Sequence, residues 1–189
     1  MIDGQSGLSK ELPLKGFCHA IGVNATRSLL LVAVSLVLTA CYPTYNWRVL
    51  EVADGVAQLA FPARVDTATR EVDLAGLNVK FELTSADAND IVFSFGAARL
   101  PAGTSSDKAK TVQRLLVDTL VASVGQAAPA AAYDGQVFRV EANAQGRSLA
   151  IVARVLIHRD MALRVVASGP PDVLTDEVAD EFMRSLKLR

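Results

Sequence analysis

The chain has 189 residues, 51% of them apolar, with 19 Lys and Arg against 20 Asp and Glu, two Cys and two His. A formal net charge of −1 lacks the basic footprint that a nucleic-acid partner leaves. Of the two Cys and two His, only Cys41 and His158 lie beyond residue 40, too few for a zinc or iron site built on several such side chains in the remainder of the chain.

Taken in order, Met1 to Thr26 shows no periodicity and is interrupted by Pro13, Gly16 and Gly22. From Ser28 to Ala40 there is no charge, with Arg27 just before and the small residues Thr39 and Ala40 just ahead of Cys41. A bilayer core needs about 20 apolar residues to be crossed, so this run is too short to span. It has the size and flanks of the apolar region of an export signal. The tetrad Leu38-Thr39-Ala40-Cys41 resembles the lipobox of bacterial lipoproteins. The resemblance implies cleavage between Ala40 and Cys41, diacylglycerol on the Cys41 sulfur and a further acyl chain such as palmitate on the new amine. Each buried methylene adds about 0.8 kcal/mol, so two or more chains anchor stably where one is marginal. Residues 1–40 are therefore expected to be a lipoprotein signal peptide. A start near Val23 gives a signal of ordinary length, leaving residues 1–22 as an extension upstream of the true start.

After processing, 16 Lys and Arg face 18 Asp and Glu, and His158 is the remaining histidine. With Cys18 removed and Cys41 acylated, no thiol is left for a disulfide, so the domain must stand on its apolar core. Residues 41–53 are expected to form the lipidated Cys and a short tether. Trp47 within it either touches a partner or membrane surface, or packs on the edge of the domain and pins the tether. Tyr42 stands at the second lipoprotein position, where an Asp would retain the protein. By resemblance to Gram-negative lipoproteins, its absence implies an outer-membrane location facing the periplasm.

Residues 54–189 show short alternating runs separated by turn residues, the pattern of half-buried strands. Val56 to Phe61 is the first, opened by Asp54-Gly55 and closed by Pro62. Ala63 to Leu74, rich in Thr and charge, reads as a loop or irregular edge. Leu77, Val79, Phe81 and Leu83 alternate with polar residues, as do Ile91, Phe93 and Phe95 beyond the turn cluster Asp87 to Asp90. Ser105-Ser106-Asp107 can cap a helix over Lys108 to Val124, where Val112, Leu115, Leu116, Leu120 and Val124 recur at helical spacing before Gly125. Gln126 to Ala132 reads as a linker. Three further strands follow over Gln136 to Ala142, Ser148 to Ile157 and Met161 to Ser168, the last two joined by a tight turn at His158-Arg159-Asp160. Thr175 caps a final helix with Asp176 and Glu177 at its positive end. The expected order is βββαβββα, an α+β domain with helices on an antiparallel sheet of about six strands.

Gly135 to Arg139, the strand pair after it, Gly169, an acidic helix start and Phe182-Met183-Arg184-Ser185-Leu186-Lys187-Leu188 resemble the C-terminal half of PsbP-like and DcrB-like proteins. Val56 to Pro62 resembles their opening strand, and Tyr45-Asn46-Trp47-Arg48 is similar to small lipoproteins of beta-proteobacteria. The resemblance implies a PsbP/DcrB-like α/β/α sandwich and an accessory or interaction role in an envelope complex. A small-ligand or lipid-binding carrier is the alternative.

No catalytic set is expected. There is no G-x-S-x-G motif, and a lone His158 in a turn has no triad to join. Asp172, Asp176, Glu177, Asp180 and Glu181 suit a helix start, with Asp180 and Arg184 spaced as an ordinary i,i+4 pair. No metal and no cofactor beyond the covalent lipid on Cys41 is expected. Strand parity leaves one set of candidates: Arg139, Arg154 and Arg164, which would gather on one side of the sheet if their strands are adjacent. Such a stripe would hold an acidic protein partner or an anionic headgroup. The competing reading is cross-strand pairing with Glu141 or Glu82.

Overall fold

Tight turns decide which alternating runs become neighbours. In the computed structural model, which describes residues 44–144 and 146–189, strand β4 (Leu77–Ala88) turns into β5 (Ile91–Arg99) through Asn89 and Asp90, both at positive φ (52° and 62°). Two successive left-handed residues match the twist of a two-residue hairpin, and Asn and Asp tolerate them best after Gly. Ala75 and Gly76 do the same between β3 (Asp66–Leu74) and β4. Strand β7 (Arg147–His158) reaches β8 (Met161–Gly169) through the expected turn at Arg159-Asp160, and β6 (Phe138–Ala144) pairs along β7. All of these pairings are antiparallel, in the order β3-β4-β5-β8-β7-β6.

The sheet has the six strands expected, but not the expected six. Strand β2 (Ala57–Phe61) leaves it for a second antiparallel sheet between β1 (Arg48–Val52) and the short β9 (Lys187–Leu188). Its place is taken by β3. The segment read as a loop is thus a full edge strand, paired with β4 from Asp66↔Ser85 to Leu74↔Leu77. Its residues are exposed almost throughout, so no inward apolar face marks it. The backbone ladder to β4 holds it instead. The segment read as tether contains β1, and the compact unit runs from Thr44 to Arg189.

Both faces of the large sheet are covered, which is why β8 is buried at seven of its nine positions. On one face Phe93, Phe95, Val152, Leu163 and Val165 pack against Leu59 and Phe61 of β2, Leu174, and Phe182 of helix α3 (Asp176–Arg184). On the other, Phe81, Ala153, Val155 and Val166 meet Val112, Leu116, Val117 and Val121 of helix α1 (Ser106–Ala122) and Ala132 of the short α2 (Ala130–Tyr133). Each large apolar side chain so buried contributes about 1.5–3 kcal/mol. Both long helices begin as read: Ser105 Oγ accepts from Lys108 N–H at 3.3 Å and Thr175 Oγ1 from Val178 N–H at 3.4 Å. The linker expected before β6 holds α2, a single turn too short to show a period.

The end of α3 accounts for the Phe-x-x-Ser spacing. Strand β9 pairs only with Ala57 and Gln58 of β2, so the ladder stops short of Ala60. Ser185 Oγ takes over, accepting from Ala60 N–H at 3.1 Å and donating to Phe182 O at 2.7 Å. Three residues upstream, Phe182 is fully buried against Phe61 and Phe93.

Candidate functional site

The three candidate arginines do not form one stripe. Register decides this: Arg139 lies opposite Val152, Arg154 opposite Val165, and Arg164 opposite Val155 and Gly96. Partners across a ladder share a face, so Arg139 and Arg154 lie on the side of α3, diagonal neighbours on adjacent strands. Arg164 lies on the other side, beneath α1. Parity within each strand was read correctly; the two-residue turn between β7 and β8 sets their relative phase and turns Arg164 over.

Each arginine also has its own surroundings. Arg139 is clasped, with Nε donating to Glu141 Oε1 at 2.9 Å and Nη1 to Leu174 O at 3.1 Å and Asp176 Oδ1 at 3.4 Å. It ties the β6 edge to the start of α3. Arg164 is largely buried, its guanidinium carbon 5.3 Å from the centre of the Phe81 ring, and its Nε finds no acceptor among the described residues. Burial, and then the positive charge of Arg70, push its pKa below that of a free guanidinium.

Arg154 belongs to a site the sequence did not announce. Pairing between β6 and β7 begins at Phe138↔Ala153, so β7 beyond Ala153 runs on without β6 beside it. Side chains and a loop fill that edge. Gln113 Nε2 of α1 donates to Val155 O at 3.0 Å and to Tyr133 O at 3.3 Å, while Arg154 Nε donates to Gly135 O at 2.8 Å. Beside them opens a cleft of about 790 Å³ whose charged lining is Lys110, Arg114, Arg154 and Arg159 against Asp134 alone. Lys110, Arg114 and Arg159 are exposed and make no ion pair with any described residue. Tyr133 stands at the wall with its Oη donating to Asp118 Oδ1 at 2.6 Å. That hydrogen bond, with desolvation and the charge of Asp118 adding to it, raises the phenol pKa and keeps it a donor. Four cations around a concave surface focus a positive field outward.

The cleft can hold anions, and among the described residues that line it no histidine stands beside a hydroxyl. Ser106 and Thr104 line it without a histidine, and His158 Nε2 instead lies 3.0 Å from Arg189 O. Among the described residues no three His, Cys, Asp or Glu side chains come together as a cation cage. Three of the acidic residues at α3 are engaged locally: Asp176 with Arg139, Asp180 with Arg184, and Glu177 at the helix start, where its own backbone N–H and Thr175 lower its pKa.

Trp47 is half-buried, its ring 5.7 Å from Phe93 and 6.5 Å from Phe182, with Tyr45 at 5.7 Å. It packs on the domain and leaves part of its surface exposed. Cys41 and Ala40, the lipidation and cleavage positions, lie outside the described residues. No helix among the described residues is long and apolar enough to cross a membrane.

No protein-family model and no curated protein matches the chain. Among solved structures it is similar to the solution structure of cyanobacterial PsbP (CyanoP) from Synechocystis sp. PCC 6803. The two are 13% identical, the match covers 79% of this chain and 96% of that one, and the TM-score is 0.42. The neighbour is of the PsbP group that the sequence resembles.

Proposed function

We propose that the protein is a non-catalytic cell-envelope lipoprotein, anchored by acyl chains on Cys41 and facing the periplasm from the outer membrane. Its PsbP/DcrB-like domain is an α/β/α sandwich in which the small β1-β2-β9 sheet shares one outer layer with α3, and it serves as the docking module of an envelope complex. The observation that carries the docking reading is the cleft at the open end of β7: Lys110, Arg114, Arg154 and Arg159 around about 790 Å³, offset by Asp134 alone. Three of these cations have no partner within the described residues, so an acidic segment of a partner protein meets charges already in place. Complementary charge of this kind governs encounter rate and partner choice more than affinity. A small-ligand carrier is the second reading, because the cleft volume lies in the range of about 300–1,000 Å³ typical of ligand pockets.

Native mass spectrometry of the full chain, gently extracted from its own membranes, separates the two. The docking reading expects a stoichiometric protein partner that is lost from the Lys110→Glu, Arg114→Glu, Arg159→Glu triple variant. Those residues are exposed, so the fold is retained. A partner that stays bound to the triple variant removes the cleft from the interface. A retained small molecule, with no protein, moves the assignment to the carrier.

A further inference from the structure

The Arg164 Nε is buried and finds no acceptor among the described residues, and its guanidinium makes no ion pair with any of them. Its strand partners are Val155 and Gly96, the Phe81 ring lies against its guanidinium, and α1 lies over the same face. Beside it, β3, β4 and α1 leave a notch of about 250 Å³ lined by Arg70 and Arg164 and by apolar side chains that include Leu74, Leu115 and Leu116. Asp73 also lines the notch, but its Oδ1 accepts from Gly76 N–H at 2.7 Å in the β3–β4 turn. Neither arginine makes an ion pair with a described residue. A partly buried guanidinium without an ion pair, and a buried donor without an acceptor, are each costly in a folded protein. The notch shares no lining residue with the basic cleft, so the two sites stand independently.

We propose that this notch binds a small monocarboxylate with an apolar body, its carboxylate between Arg164 and Arg70 and its hydrocarbon against Leu74, Leu115 and Leu116. Each part of that description follows from the lining. A planar anion matches the guanidinium fork and supplies the missing charge and acceptor. The apolar walls select a hydrocarbon body, and the volume, below the usual range for drug-sized ligands, keeps it short. Arg70, exposed on the edge strand β3, stands at the mouth and Arg164 at the floor. One charge is then buried with its counterion instead of alone.

The test titrates the isotope-labelled full chain with sodium hexanoate, hexanamide and inorganic phosphate while following the Arg164 Nε–H resonance. Hexanoate is expected to shift it saturably, with hexanamide and phosphate far weaker. Arg164→Met replaces a buried charge by an apolar side chain of similar length, an exchange that proteins tolerate, and should weaken hexanoate binding about 30-fold or more. Arg70→Gln, at an exposed position, should weaken it up to about fivefold. Hexanamide binding as tightly as hexanoate, or hexanoate affinity unchanged in Arg164→Met, overturns the proposal. So does phosphate binding as well as hexanoate, since the apolar walls would then contribute nothing. Should Arg164→Met fail to fold, the comparison of the three probes on the parent chain and Arg70→Gln still decide.

Discussion

Gly96→Ala tests the packing that holds Arg164. Gly96 sits directly across the ladder from Arg164 and Leu83, and the Phe81 ring lies over the space a side chain would occupy. A Cβ built there comes within 2.3 Å of Phe81 Cζ and 2.8 Å of Cε1. Carbon contacts settle at about 3.5–4.0 Å, so the ring must retreat by about 1 Å or more. Phe81 is 3% exposed and carries the Arg164 guanidinium against its face, so it has little room to do so. Overpacking of this sort costs about 1–3 kcal/mol. Replacing Gly by Ala within a strand returns about 0.5–1 kcal/mol through the unfolded chain. The expected net loss, taken between the centres of the two ranges, is about 1 kcal/mol, or roughly 2–4 °C in Tm for a domain of this size. Urea unfolding measures it. Adding Phe81→Leu should restore part of the loss, because the two substitutions act on one contact and are not additive. A Gly96→Ala protein as stable as its parent, or a double variant showing no coupling, would refute the stacking of Gly96, Phe81 and Arg164.

Two further outcomes are expected. Cys41→Ala should release the protein from membranes into the soluble fraction, since the proposed anchor is the acyl chains on Cys41; sedimentation with membranes at the parental level would end the anchoring proposal. Ser185→Ala should destabilise the domain by about 1–3 kcal/mol, the cost of leaving the Ala60 N–H without an acceptor, and it should raise amide exchange at Ala60; unchanged exchange there would mean that water serves as well as the hydroxyl.

How much of this could be read from the sequence depended on whether an element buried one side. Strands β4, β5, β7 and β8, with helices α1 and α3, were placed from alternation, helical spacing and caps, because each lays an apolar face on the core. Strand β3 was missed for the opposite reason. Its Thr, Arg, Glu and Asp residues stay in water, and its stability comes from backbone pairing to β4, which leaves no apolar period. Strand β1 carries half-buried Leu50 and buried Val52 in five residues, too little to outweigh the tether reading. The helix α2 and strand β9 are shorter than any period. The basic cleft had a weak signal in Lys110 and Arg114, one turn apart on the open side of α1. Arg159, in the β7–β8 turn, joins them only through the fold.

The arginines show where linear reasoning ends and what the fold adds. Alternation fixes which neighbours an arginine opposes within its own strand, but whether two strands are in phase depends on the residue count of the turn between them. A slip of one residue in the pairing of β8 with β7 would carry Arg164 to the side of Arg139 and Arg154 and build the expected stripe. The observed turn instead gives three separate fates: a cation satisfied by Glu141 and Asp176, one bound to the Gly135 carbonyl at the rim of a cleft, and one buried without a counterion. Only the last leaves a buried donor, its Nε, for which the described chain offers no acceptor. Since an unsatisfied buried donor is costly and the native domain carries it nonetheless, function is sought first where the fold has left that donor beside an apolar notch.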